Sequence, residues 1–389
     1  MKINKYIFLI ISLLPWTLSV SHASSPLYEL DDYMSIFFNG STALVWQSNI
    51  FYDDESEKDD LMFVISPGFE ANLGSKASGF SARAQINYEL QRFDKLSELN
   101  DEYLHFDTIA SYEGARFNLN AMYRFDEEQT TTGEQAALIS ESKFIQLDET
   151  RARLLGEYAL SPKFSFEPGI SYYERDFKDE EDRLADVESY SIPLDVFYEL
   201  TPKVDLSFGY EYTSEEVGIY MSEDFNRDLH FLNVGARGDL FPKLNGFFKV
   251  GYRSVNPEGS NRNSDSTLGV SADFTYLATP KLTSNLRLRH GFDVGSEGQS
   301  VEDTLAKLDF DYSIATNYVA RLFTHLTYRD FKDGNDGQDF IHRSGFRFLY
   351  VPNQYWNVGT GYTYFENDSN RTGQGYVNHI LDISAALRY

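Results

Sequence analysis

The sequence predicts an all-β chain folded as a transmembrane, up-and-down antiparallel β-barrel of about 18 strands, with short periplasmic turns and long acidic extracellular loops. Three observations carry that expectation. A four-residue phrase recurs at Leu160-Ser161-Pro162-Lys163, Leu200-Thr201-Pro202-Lys203, Leu240-Phe241-Pro242-Lys243 and Ala278-Thr279-Pro280-Lys281, its prolines 40, 40 and 38 residues apart. Weaker cousins stand at Ala315-Thr316-Asn317 and Val351-Pro352-Asn353. Proline fixes φ and donates no hydrogen bond, so each phrase marks a tight reversal between strands. Between phrases, apolar and polar residues alternate: Val204, Leu206, Phe208, Tyr210 and Tyr212 point one way, Asp205, Ser207, Gly209, Glu211 and Thr213 the other. The last strand ends the argument with Leu381, Ile383, Ala385, Leu387 and the terminal Tyr389 on one face. A C-terminal amphipathic strand closing on an aromatic resembles the signal by which outer-membrane barrels are recognised by their assembly machinery, and Leu387 and Tyr389 would carry it.

Taken in order, the chain begins with an apolar run, Tyr6 to Val20, after Lys2 and Lys5 and before Ser21-His22-Ala23. This is the pattern of a secretory signal peptide over residues 1–23, too short for a membrane span. Its loss would remove two lysines and no acids, taking the formal charge from −26 to about −28. Residues 24–34 form a periplasmic lead-in too short to fold alone, and the barrel occupies 35–389. Nine strand pairs follow: 35–52 with 61–73, 79–93 with 102–113, 116–126 with 145–160, 163–177 with 186–200, and 203–215 with 226–240. The remaining four are 243–255 with 265–278, 281–294 with 301–314, 317–331 with 339–350, and 354–366 with 376–389. In the first pair, Phe37-Phe38-Asn39-Gly40 suits either a bulge or an extra half-strand.

Alternation alone does not say whether the apolar face meets lipid or a packed core, so a soluble β-sandwich competes with the barrel. The apolar faces end in aromatics near both rims, as at Phe164 and Tyr172 or Trp356 and Tyr364, which is how membrane barrels place interfacial girdles. Cysteine is absent, which excludes thiol chemistry and cysteine metal sites. The acidic balance argues against nucleic acid as a partner.

Trp46-Gln47-Ser48-Asn49-Ile50-Phe51-Tyr52-Asp53-Asp54, followed by an acidic loop and Val64-Ile65-Ser66-Pro67-Gly68-Phe69-Glu70, resembles the outer-membrane β-barrel porin family found beside Wzx/Wzy-type exopolysaccharide gene clusters. That resemblance implies a barrel that carries polysaccharide across the outer membrane beside a periplasmic polysaccharide-export protein. It brings no catalytic residues.

On the water-facing parity, acids and bases roughly cancel, but seven bases fall on four consecutive strands: Arg287, Arg289, Lys307, Arg321, Arg329, Arg343 and Arg347. This basic wall would either guide an acidic polymer or solute, or pair with Asp309, Asp311 and neighbouring acids to brace the sheet. Tyr103 and Tyr173 lie on the same face. Acidic loops are expected at 53–60, 126–134 and 174–188, solvated or bridged through divalent cations to lipopolysaccharide. Asp333 to Asp339 has a calcium-loop flavour but breaks the EF-hand pattern. No cofactor is implied, and His105, His230, His290, His325, His342 and His379 stand singly, without a zinc-protease or serine-hydrolase motif. The expectation is a non-enzymatic channel in the bacterial outer membrane, in contact with lipid and lipopolysaccharide, exporting an extracellular polysaccharide. The alternatives are an uptake porin for oligosaccharides or small solutes, a structural or adhesive barrel with its lumen blocked by loops, and an enzyme using a Ser, a His and an acid.

Overall fold

The computed structural model describes residues 25–389 apart from 32, 75–77, 133–134, 136–142, 179–183, 220–224, 259–262 and 333–336. The expected signal peptide, the tips of the acidic loops at 126–134 and 174–188, and most of the Asp333 loop lie outside the described residues. A short β1 (Tyr28–Leu30) precedes β2 (Met34–Gln47), β3 (Asp60–Leu73), β4 (Phe80–Phe93), β5 (Asp101–Glu113), β6 (Phe117–Thr131) and β7 (Phe144–Ala159). Next come β8 (Phe164–Phe177), β9 (Ala185–Thr201), β10 (Val204–Ile219), β11 (Phe225–Phe241), β12 (Leu244–Pro257) and β13 (Asp265–Thr279). The chain ends with β14 (Leu282–Val294), β15 (Ser300–Ala315), β16 (Tyr318–Phe331), β17 (Gly337–Tyr350), β18 (Trp356–Ser369) and β19 (Tyr376–Arg388). Each strand from β2 onward pairs antiparallel with its successor, and β19 pairs back onto β2, closing an 18-stranded barrel.

The recurring phrase works through more than its proline. Where Ser or Thr precedes the proline, its hydroxyl accepts hydrogen bonds from the two backbone N–H groups past the proline: Ser161 from Lys163 and Phe164, Thr201 from Lys203 and Val204, Thr279 from Lys281 and Leu282. Asn353 does the same for Tyr355 and Trp356. Phe241 holds the equivalent position in the third phrase and has no such oxygen; there Lys243 takes φ 70°, a left-handed conformation unusual for lysine. The turn carbonyls of Lys163, Lys203, Lys243 and Lys281 accept bonds from Glu199, Asp239, Leu277 and Ser313, tying each reversal to the following hairpin.

Faces sort as the alternation requires. Leu206, Phe208 and Tyr210 are exposed on the outside of β10, while Ser207, Gly209 and Thr213 are buried on the inside. On β3, Leu61, Phe63, Ile65 and Phe69 face out and Asp60, Ser66 and Glu70 face in. An apolar outer surface is stable only against lipid, and closure leaves no backbone edge unsatisfied there. At the seam, residues 380–388 of β19 pair with 47–39 of β2, and Phe38 and Tyr389 exchange both backbone hydrogen bonds at 2.6 and 2.8 Å. Leu387 faces outward opposite Gly40, and Tyr389 is exposed. Beneath β19, β1 continues the sheet by pairing Tyr28 with Ile36 and Leu30 with Met34.

Several details differ from the sequence reading. β2 stops at Gln47 rather than Tyr52, because Ser48 to Tyr52 turns inward. It pairs with β3 over its whole length without a register shift, so neither a bulge nor a half-strand exists at Phe37 to Gly40. Part of the expected acidic loops is strand: β6 runs to Thr131, five residues past the expected 126, while β8 ends at Phe177 as expected and β9 starts at Ala185, one residue before the expected 186. Past the outermost aromatics the sheet stands in water on both faces, where acids pair as well as apolar residues do.

Candidate functional site

Register decides which inward side chains meet, since directly opposite residues bring their Cβ atoms to about 4.5–5.5 Å. One line of facing residues crosses the expected basic wall at mid-height: Asp273 of β13, Arg287 of β14, Lys307 of β15, His325 of β16, Arg343 of β17 and Phe365 of β18. Arg287 is held by Asp273 at 2.8 Å, and His325 lies 3.4 Å from Asp309. Lys307 and Arg289 form no hydrogen bond or ion pair among the described residues. Arg343 rests 5.7 Å over the Phe365 ring with its Nε buried and unbonded. Although Arg289 points inward it remains exposed, so open space lies over it, while Arg287, Lys307 and Arg343 are half-buried.

Nearer the periplasm the bases are matched. There Asp311, Arg321, Arg347, Gly361 and Asp382 face one another in turn. Arg321 takes both Asp311 oxygens, one at 3.0 Å, and Arg347 bonds Asp382 across β18. That reach needs Gly361: a Cβ there would come within 2.7 Å of Asp382 Oδ1. Nearer the outside, Arg329 lies 3.6 Å from Asp303. Of the seven expected bases, the structure thus gives four an acid in contact and leaves Arg289, Lys307 and Arg343 without a contacting acid among the described residues, although Asp293 and Asp303 act on Arg289, and Asp309 on Lys307, from farther away.

The wall from β7 to β12 is built differently. Arg237, buried and 3.4 Å over the Phe197 ring, reaches Glu157, Glu167 at 3.5 Å and Asp205 at 3.1 Å. Lys249 meets Asp195 at 2.6 Å. Guanidinium donors forking into several carboxylates brace neighbouring strands.

Three segments fold inward at the extracellular mouth, as contacts between non-neighbouring strands show. The β2–β3 connection is pinned by Asn49, whose Nδ2 donates to Asp53 O at 2.7 Å and Val377 O at 3.2 Å, and whose Oδ1 accepts from Asp53 N. From there Phe51 reaches Phe144 of β7 (5.3 Å between ring centres) and Tyr52 reaches Phe365 and Tyr376. The upper β6–β7 hairpin leaves β5 beyond the His105–Asp126 pair and brings Phe144 to Phe93 of β4. The β14–β15 hairpin leaves β13 beyond His290. Its Ser296 carbonyl accepts from Ala185 N at 2.7 Å, its Asp293 carbonyl accepts from Arg227, and Val294 packs on Ala185, Val187 and Val217. In the extracellular extension of β6, burial and the adjacent Asp126 and Glu149 push Glu128 up to about 7.

These inward segments were not read from the sequence, though a signal was present. Ala185, Val187, Val217, Leu229 and Val255 are apolar residues on the water-facing parity, clustered at the top of β9–β12. Tyr103 and Tyr173 do face inward, where both are enclosed by neighbours. Among the described residues no group of His, Asp and Glu is arranged to hold a metal ion, and no helix is long and apolar enough to cross a membrane.

A closed barrel, lipid-facing outside and charged inside, defines a bacterial outer-membrane β-barrel of the porin kind. Residues 230–389 match the profile of the family described as "Putative beta-barrel porin 2". Among solved structures the chain is similar to the apoprotein form of the FrpB iron transporter of Neisseria meningitidis, at 7% identity and TM-score 0.50, over 92% of this chain and 82% of that one. It is also similar to the outer membrane protein OpdK of Pseudomonas aeruginosa (10%, 0.45, 91% and 99%). OccAB4 of Acinetobacter baumannii is a third such structure (11%, 0.46, 92% and 98%). At these identities the likeness is one of fold. No curated protein matches the sequence.

Proposed function

We propose that this barrel is a hydrophilic channel through which an extracellular polysaccharide leaves the cell. The observation that supports the reading most is the inner surface itself: bases and acids line it on nearly every strand, and Arg289, two residues above Arg287 of the mid-height line, is exposed to open space. Such a surface keeps a hydrated passenger solvated. The direction of transport and the polymer class come from the resemblance of residues 46–70 to barrels beside exopolysaccharide clusters. A periplasmic polysaccharide-export protein would then dock at the short-turn rim, and the assembly machinery would engage the strand ending at Leu387 and Tyr389.

A second reading, uptake of oligosaccharides or small solutes, is favoured by the three segments folded into the mouth, which narrow it. A deletion strain separates the two. Loss of surface polysaccharide with unchanged solute uptake supports export; normal polysaccharide with impaired uptake removes it.

A further inference from the structure

We propose that Lys307, Arg343 and Arg289 form an anion site at mid-height on the inner wall, one that takes the carboxylates of an acidic saccharide. This rests on the channel reading and gives it a substrate class.

The argument is one of missing countercharge. Arg287, Lys307, His325 and Arg343 stand directly opposite one another on four adjacent strands. Arg287 and Lys307, two like charges directly opposite, repel. Elsewhere on this wall the fold answers each base with an acid: Asp273 for Arg287, Asp311 for Arg321, Asp382 for Arg347 and Asp303 for Arg329. The chain has 60 acids against 34 Lys and Arg, so a shortage of carboxylates does not explain the gap. Glutamine at these positions would relieve the repulsion and keep the lumen polar. Three unanswered bases, one of them exposed to open space, are instead the arrangement that a passing anion completes. Two guanidinium forks and an ammonium suit carboxylate oxygens, and the acids on either side of the line keep the attraction local. A saccharide bearing one carboxylate per ring would meet the site repeatedly as it advanced. Binding of moderate strength, easily released, is what conduction needs.

The test uses the full barrel in detergent micelles at low salt and reads binding by calorimetry, independently of conductance. The probes are trigalacturonate, galacturonate and the neutral maltotriose. The expected result is binding of trigalacturonate and none of maltotriose; the combined Arg289→Gln, Lys307→Gln and Arg343→Gln variant weakens it about tenfold. Should that variant not fold, Lys307→Gln and Arg343→Gln singly each weaken it about twofold. The charge-neutral pair Arg321→Gln with Asp311→Asn leaves binding unchanged. Galacturonate binding as tightly as the trimer assigns the site to small anions rather than a polymer and overturns the saccharide part. Equal binding of acidic and neutral probes, equal binding by wild type and variant, or no binding by wild type overturns the site. Trigalacturonate binding together with normal surface polysaccharide in the deletion strain leaves the site standing and removes export alone.

Discussion

Two walls of one lumen carry similar side chains and use them in opposite ways. Between β7 and β12, Arg237 is buried among three carboxylates and Lys249 is tied to Asp195, so these two cations hold strands together. Between β14 and β17, Lys307 and Arg289 have no such partner among the described residues. What separates the walls is which bases have a carboxylate within reach. Arg321 and Arg347 stand opposite each other and still brace, because Asp311 and Asp382 reach them, whereas Lys307, between Arg287 and His325, is left for solvent or a passenger.

Substitutions can break that contrast, and the largest effect belongs to the bracing wall. Arg237→Met strands Glu157, Glu167 and Asp205 without their shared cation and is expected to cost about 3 kcal/mol in denaturant unfolding of the detergent-solubilised barrel. Arg343→Met removes a cation that answers no acid, so an equal loss there would erase the distinction. Glu128→Gln comes next. Its carboxyl titrates near 7 in the fold against an ordinary 4.5, so the folded state binds the proton more tightly. Stability attributable to Glu128 is therefore unpenalised below about pH 4.5 and falls as pH rises through about 7. Glutamine should stabilise by on the order of 1–3 kcal/mol at pH 8 and change nothing at pH 4, and a gain equal at both pH values would refute the assignment. Asn49→Ala removes three hydrogen bonds that pin the β2–β3 connection, at a cost of about 1 kcal/mol. Faster amide exchange confined to residues 48–59 is the expected signature, and unchanged exchange would mean that the aromatic contacts of Phe51 and Tyr52 hold the segment alone. The smallest change is Lys307→Gln, neutral to slightly stabilising within about 0.5 kcal/mol because it relieves repulsion from Arg287. A clear loss of stability would point to a bracing role.

How legible each wall was follows from the same distinction. Strand number, faces and reversals were readable because alternation and the Pro162, Pro202, Pro242 and Pro280 spacing are local properties of the chain. The capping oxygens of Ser161, Thr201 and Thr279 are equally local, one residue before each proline. Pairing of Arg347 with Asp382 was not readable, since it skips a strand through the space that Gly361 leaves. The basic wall was therefore seen as seven equivalent charges, when three differ from the rest. The inward folding of Asn49 to Tyr52 and of the β14–β15 hairpin is not legible strand by strand, because apolar residues such as Val187 and Val217 are single exceptions within their own strands. Only their clustering on one side of the mouth says that something packs on them.

The central claim is a water path past the folded-in mouth, lined at mid-height by unanswered bases. Reversal potential of the barrel in a planar bilayer under a KCl gradient tests it most directly. The account predicts discrete conductance with a preference for chloride that falls when Arg289, Lys307 and Arg343 are changed to Gln. A barrel that conducts nothing, or one that prefers potassium with those three bases intact, would contradict it.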